Sequence, residues 1–324
     1  MERGNASPAV DSVTQRAGQQ RGGAPIGPKG GAVAETTIEW TDFSFNSHWG
    51  CSKVSPGCDN CYAETWAKRT GFPNLWGVHA DRRFFGAHHW AEPLKWNAKA
   101  VKEGTRPRVF CNSMSDVFDN HMLLDFERER LWDLIRRTPA LDWLVLTKRI
   151  GNATKMLPPD WGEGYPNVWL GISVCEQHEA DRDIPKLLGV PAAIRFLSCE
   201  PLLGSIDLSA FQPGFCPKCA GTGEVVAIGA TYPDYEDDAE PCYDCGGTGQ
   251  WEDNEGLCWV IAGGESGAGA RSMNLDWARA LRQECERQEI PFFMKQLSQA
   301  DTADYKDFES FPKDLQVREW PIDR

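Results

Sequence analysis

Three cysteines, Cys51, Cys58 and Cys61, fall within eleven residues on a stretch turned by Pro56-Gly57. Thiolates at such spacing can converge on one metal centre. Three ligands rather than four suit a [4Fe–4S] cubane, which then keeps one iron open to chelate another molecule. The same residues also admit zinc, with His48, three positions before Cys51, completing a Cys3His set. Unligated buried thiols are the third reading.

A second cysteine set has a repeat. Cys216-x2-Cys219-x-Gly-x-Gly is followed by Cys242-x2-Cys245-x-Gly-x-Gly. Each pair forms a knuckle, and the glycines permit the tight turns that aim both sulfurs at one ion. Together Cys216, Cys219, Cys242 and Cys245 make the closed tetrahedral set of structural zinc. The chain has twelve cysteines and no apparent export signal, so thiol clusters are read as metal ligands in a reducing cytoplasm rather than as disulfides. The remaining five, Cys111, Cys175, Cys199, Cys258 and Cys285, stand singly in apolar contexts and read as buried small hydrophobes.

The elements that must carry these groups alternate. Seven short apolar runs read as strands: Thr37–Trp40, Arg108–Asn112, Trp143–Thr147, Val168–Val174, Ile194–Ser198, Cys258–Ala262 and Pro291–Met294. Helical patterns lie at Asp125–Thr138, stopped by Pro139, and at Asp276–Gln288. Strands alternating with helices imply α/β architecture with a parallel sheet: a partial or complete (β/α) barrel, with a doubly wound sheet as the alternative. Barrel active sites gather at the carboxyl ends of strands. Glu39, Asp42, Asp116, Lys148, Arg149, Glu200, Glu265 and Lys295 all fall at expected strand ends. Ordinary ion pairs closing a barrel explain most of them equally well, so no catalytic residue is assigned.

Residues 1–34 are rich in Gly, Ala, Gln, Pro and Ser and read as a disordered leader. The barrel is expected over 35–211 and 255–300, interrupted by the zinc-binding insertion at 212–254 and followed by an acidic tail at 301–324. A formal charge of −13 argues against a chain that coats nucleic acid nonspecifically. Between Trp66 and Arg108, however, nine basic residues, Arg82 and Arg83 among them, face three acidic ones. Trp66, Trp76 and Trp90 interleave with them and could stack bases. No apolar run approaches the roughly 20 residues of a membrane span.

Several blocks carry a resemblance: Glu39-Trp40-Thr41-Asp42, Gly50-Cys51 through Cys61-Tyr62-Ala63-Glu64, Cys111 to Asp116, Leu146 to Arg149, Val168 to Gly171, Arg195 to Gly204, and Gly263 to Gly267. In these the chain resembles the phage-associated three-cysteine-motif family, which is related to radical S-adenosylmethionine enzymes. The resemblance implies a partial barrel, a [4Fe–4S] cluster on the loop after the first strand, S-adenosylmethionine as cofactor, a reductant, and a phage-encoded partner. Gly263-Gly264-Glu265 looks like the motif that contacts the methionyl end of that cofactor, and Ser113–Asp116 is its positional counterpart after the second strand. The implied cofactor contacts are therefore Ser113, Asp116, Gly263, Gly264, Glu265 and Ser266. There are departures: six residues separate Cys51 from Cys58 where three are common, and Asn60 replaces the usual aromatic before the third cysteine. The repeat of the second set is similar to the cysteine-rich region of DnaJ-type chaperones, which carry four repeats where this chain has two, so the resemblance implies one zinc and does not extend to chaperone activity.

These readings converge on an iron–sulfur enzyme that modifies or repairs a nucleic-acid base or nucleotide. The alternative is a non-enzymatic zinc-binding adaptor or nucleic-acid-binding protein.

Overall fold

The computed structural model describes residues 36–214 and 256–321, together with 216, 219, 222–226, 239–242, 245 and 247–250. The leader at 1–34 and much of the insertion at 212–254 lie outside the described residues. Seven strands make one parallel sheet in sequential order: β1 Phe43–Phe45, β2 Arg108–Cys111, β3 Asp142–Thr147, β4 Val168–Ser173, β5 Ile194–Cys199, β6 Trp259–Gly263 and β7 Phe292–Gln296. The principal helices are α1 Tyr62–Arg69, α2 Glu92–Glu103, α3 Asp125–Arg136, α4 Gln177–Leu188 and α5 Leu275–Arg287.

Every second strand residue faces the same way, and the two faces bury different cores. Val109, Trp143, Val145, Val168, Leu170, Leu197, Val260 and Phe292 pack with the helices. Phe110, Leu144, Trp169, Phe196, Trp259, Ile261 and Phe293 form a second cluster with Trp40 on the other face. That cluster shows how far the sheet curls. Strands β2 and β6 are four steps apart and would lie about 19 Å from each other if flat. Yet the ring of Trp40 is 4.7 Å from Phe110 on β2 and 6.2 Å from Trp259 on β6. The sheet wraps around Trp40 as a curled half-barrel, and among the described residues β1 and β7 do not pair.

Six of the seven expected strands match to within two residues. The first does not: Thr37–Trp40 ends in a turn, closed by Thr41 N donating to Ile38 O at 3.2 Å, and the strand is Phe43–Phe45. The apolar residues at 38 and 40 serve the inner cluster instead of a ladder. The segment after β7 folds back along its outer edge. Met294 N donates to Val317 O at 2.8 Å, Glu319 N to Phe292 O at 3.0 Å, and Phe311 and Leu315 are buried. No helix among the described residues is long and apolar enough to cross a membrane.

Gly171 on β4 faces the inner cluster, where an added Cβ would lie 2.4 Å from the ring of Phe196. Overpacking of this kind costs about 1–3 kcal/mol. Gly171→Ala should therefore lower the thermal unfolding midpoint by several degrees. An unchanged midpoint would show that the Phe196 ring has room to retreat.

Candidate metal centre and cavity

The cysteine loop leaves β1 and closes over the carboxyl ends of the strands. Gly50 sits at φ +113°, where a side chain would strike Leu75 O at 2.7 Å. Cys51 N donates to Leu75 O at 3.2 Å, and Gly77 N to Cys51 O at 2.9 Å. Ser55 then caps a single 3-10 turn, Pro56–Cys58, its Oγ accepting from Gly57 N at 3.0 Å. Cys61 is the cap of α1, so its sulfur meets the positive end of that helix.

All three cysteines line one cavity of about 360 Å³ at the strand ends. Ser113, Asp116, Gly264, Glu265, Ser266, Glu39, Lys148, Arg149, Glu200 and Lys295 line it too. Two sequence candidates do not. Asp42 turns outward to accept from Arg108 N at 2.8 Å, because the strand expected before it lies after it. Gly263 is the last residue of β6, packed beneath Glu200.

Arginines hold the loop. Arg149, at the end of β3, donates to Ser52 O at 2.6 Å, to Asp116 Oδ2 at 3.1 Å and to the Cys51 sulfur at 3.4 Å. Asp116 in turn accepts from Thr147 Oγ1 and from Lys148 N, at 2.8 and 3.0 Å. On the other side Arg271 grips Glu265 through Nε and Nη2, at 2.9 and 2.6 Å, and donates to Pro56 O at 3.0 Å. Asn60 donates to Glu265 Oε2 at 2.9 Å and to Gly269 O at 2.8 Å. Arg271 and Asn60 were not read from the sequence. Asn60 stood out only as a departure from an aromatic, and its use here is to tie the loop to the turn after β6. Glu265 is thereby occupied by protein donors rather than left open toward the cavity.

Burial pushes the Cys51 thiol up to about 12, against the pull of Arg149, and raises the Cys61 thiol as well. A positive metal centre, rather than solvent pH, is what makes such buried thiols ligate as thiolates. The two cysteine sets differ in spread. A tetrahedral zinc with bonds of about 2.3 Å requires sulfurs about 3.8 Å apart. Cys216 and Cys242 sulfurs are 3.8 Å apart, those of Cys219 and Cys245 are 3.7 Å apart, and all four lie within 4.8 Å of one another. The knuckles mirror each other: Gly223 N donates to the Cys219 sulfur and Gly249 N to the Cys245 sulfur, both at 3.3 Å. Burial works against it, yet that donor and the neighbouring cysteines bring the Cys245 thiol down to about 7. The set fits a single zinc ion. Among the described residues Cys51, Cys58 and Cys61 do not form such a close set, with or without His48.

His48 does not join the cysteines. Its imidazole is buried with Nδ1 3.0 Å from Ser47 Oγ, and burial pushes its pKa down to about 3. The basic–aromatic face expected between Trp66 and Arg108 is also not a continuous surface. Arg82 is buried and pairs with Asp119 at 2.8 Å, Trp90 is buried, and Arg83 lies over the rings of Trp49 and Phe72. Trp76 lines the cavity and Trp66 is exposed. Charge reversal at Arg82 would therefore disturb the fold rather than probe a docking surface.

The family described as Protein of unknown function (DUF5131) matches residues 35–320. No curated protein matches the chain in sequence. Among solved structures, a double mutant of spore photoproduct lyase with bound AdoMet and dinucleoside spore photoproduct is similar at 12% identity and a TM-score of 0.36, over 50% of this chain and 46% of that one. A single mutant of the lyase with the dinucleoside spore photoproduct is similar at 13% identity and a TM-score of 0.37, over 52% and 47%. The chain thus spans about half the length of these structures.

Burial opposes ionisation of Glu265, but Arg271 and Asn60 outweigh it and lower its pKa. A carboxylate with a lowered folded-state pKa stabilises fully above its unfolded value of about 4.3, and that contribution is lost as pH falls through the folded value. Glu265→Gln should lower the melting temperature at neutral pH and flatten its decline below about pH 4.3. An identical acid limb in both proteins would show that the clamp contributes nothing.

Proposed function

The chain belongs to the DUF5131 family, and from that premise we propose that it is a radical S-adenosylmethionine-type enzyme acting on a nucleic-acid base or nucleotide. The observation that carries the proposal is the disposition of Cys51, Cys58 and Cys61. They lie together on the wall of a cavity at the strand ends, without the close spacing that a single ion demands. Cys51, Cys58 and Cys61 would hold a [4Fe–4S] cluster through three of its irons and leave the fourth without a protein ligand. When bound, that cluster with S-adenosylmethionine supplies one-electron chemistry that ends in hydrogen abstraction from a substrate.

The chain's own residues do the positioning. Arg149 and Arg271 fix the loop, and the N–H of Arg149 toward the Cys51 sulfur favours its thiolate form. Ser113 and Ser266 line the cavity with hydroxyls that can contact the cofactor, as the sequence resemblance implies. Trp76 and Tyr62 are aromatic walls against which a base can stack. Lys295 pairs with Glu200 at 2.8 Å; burial pulls its ammonium down, but the carboxylate overrides this and raises its pKa. The same resemblance supports a phage or mobile-element setting, a phage-encoded partner protein and a reductant for the cluster. Cys216, Cys219, Cys242 and Cys245 would hold one zinc whose task is to fold the insertion.

Protein purified without oxygen should be brown, absorb near about 400 nm and carry about four irons and one zinc. With S-adenosylmethionine and dithionite it should yield 5′-deoxyadenosine. Cys58→Ala should lose the iron and keep the zinc, whereas Cys242→Ala should do the reverse. Colourless protein with two zincs would overturn the proposal in favour of an adaptor.

A further inference from the structure

Four carboxylates line the cavity, and three are already supplied with donors. Asp116 accepts from Thr147, Lys148 and Arg149. Glu265 accepts from Asn60 and Arg271. Glu200 accepts from Ser198 Oγ at 3.1 Å and pairs with Lys295. These three hold the scaffold together. Glu39 is different. Among the described residues no hydrogen bond or ion pair reaches its carboxylate, and its Oε2 is shut from solvent without a partner.

Lys295 and Arg318 attract the Glu39 charge from a distance, but a half-buried carboxylate without a hydrogen-bond donor still bears part of its desolvation cost. A ligand offering N–H groups would offset it. The walls beside Glu39 say what body that ligand has. Trp40 and Phe110 line the same cavity with ring centroids 4.7 Å apart and planes inclined at 50°, giving an apolar floor, and Trp76 and Tyr62 add aromatic walls. The terminal torsion of a glutamate is soft, so both oxygens can turn toward an incoming edge. An acceptor pair among aromatic walls is complementary to a planar heterocycle with two adjacent N–H donors.

Resting on the nucleobase reading above, we infer that Glu39 reads the substrate base and that this base is guanine-like. Guanine sets a ring N–H beside an exocyclic amine, one donor for each carboxylate oxygen. Adenine and cytosine set their amine beside a ring acceptor, and thymine has one ring N–H between two carbonyls. Each of these leaves a carboxylate oxygen facing an acceptor or nothing. The ammonium of S-adenosylmethionine has the same donor chemistry without the flat edge, and nucleoside pairs separate the two.

The test is equilibrium binding to anaerobically purified holoprotein, followed by tryptophan fluorescence and calorimetry. Guanosine should bind about tenfold more tightly than inosine, which lacks only the exocyclic amine. In Glu39→Gln the ratio should fall to near one while S-adenosylmethionine affinity stays unchanged and the melting temperature does not fall. Glu39→Asp, which keeps the charge but withdraws it, should give an intermediate ratio and serves if the glutamine variant does not fold. A wild-type ratio near one, or a ratio that survives both substitutions, overturns the inference. So does a Glu39→Gln protein that loses only S-adenosylmethionine, since the carboxylate would then hold the ammonium. If iron is absent but the guanosine preference persists and depends on Glu39, the radical chemistry fails and this inference stands. If 5′-deoxyadenosine forms and the preference is missing, the reverse holds.

Discussion

Two guanidinium groups fix where the three sulfurs lie. Arg149 reaches the cysteine loop from the end of β3 and Arg271 reaches it from the turn after β6, so the loop is held by opposite parts of one sheet. The side chain of Arg149 is 8% exposed and that of its partner Asp116 is 6% exposed. Breaking such a buried pair by removing one partner costs about 3–5 kcal/mol, because the other charge is left uncompensated. The loop itself is short of apolar contacts and rich in Ser, Pro and Gly. Its geometry is therefore imposed from outside by charge-assisted hydrogen bonds, and the shape of the cavity follows from them.

Beneath that polar layer lies an aromatic one. Trp40, Phe110, Phe196, Trp259 and Phe293 fill the concave face of the sheet. Edge-on and tilted contacts at 4.7–6.4 Å link Trp40 to three of them. The plug stops the cavity from running through the half-barrel and gives it a floor. Depth, apolar floor and charged rim thus come from successive layers of the same strands, set by alternation along each one.

Legibility from sequence tracked the range of the interactions involved. Strands of five or six residues buried on both faces were visible as apolar runs, and α3 and α5 showed their stripes. The three-residue β1 carries too few residues to show a period, and the nearby Ile38 and Trp40 offered a better-looking run whose true task is packing. Both cysteine sets stood out in the sequence because their members are close in the chain. Arg271 was not, since its partners Pro56 and Asp59 lie more than 200 residues away. His48 and Arg82 misled for one reason: a polar residue near a reactive group looks the same in sequence whether it faces the cavity or is buried behind it. The contrast among Glu39, Asp116, Glu200 and Glu265 was likewise invisible, because hydrogen-bond saturation is a property of the folded chain alone.

The insertion between β5 and β6 leaves and re-enters at one place. A side chain on Gly256 would meet the ring of Pro213 at 2.9 Å, and β6 begins three residues later at Trp259. The barrel itself therefore brings the two roots together, whatever hangs between them. Lengthening a closed loop is thermodynamically mild, about 0.6 kcal/mol per doubling. The four-cysteine unit is in this sense a graft: a lineage could gain it, exchange it or shed it at that junction while the seven-stranded stock below kept its shape.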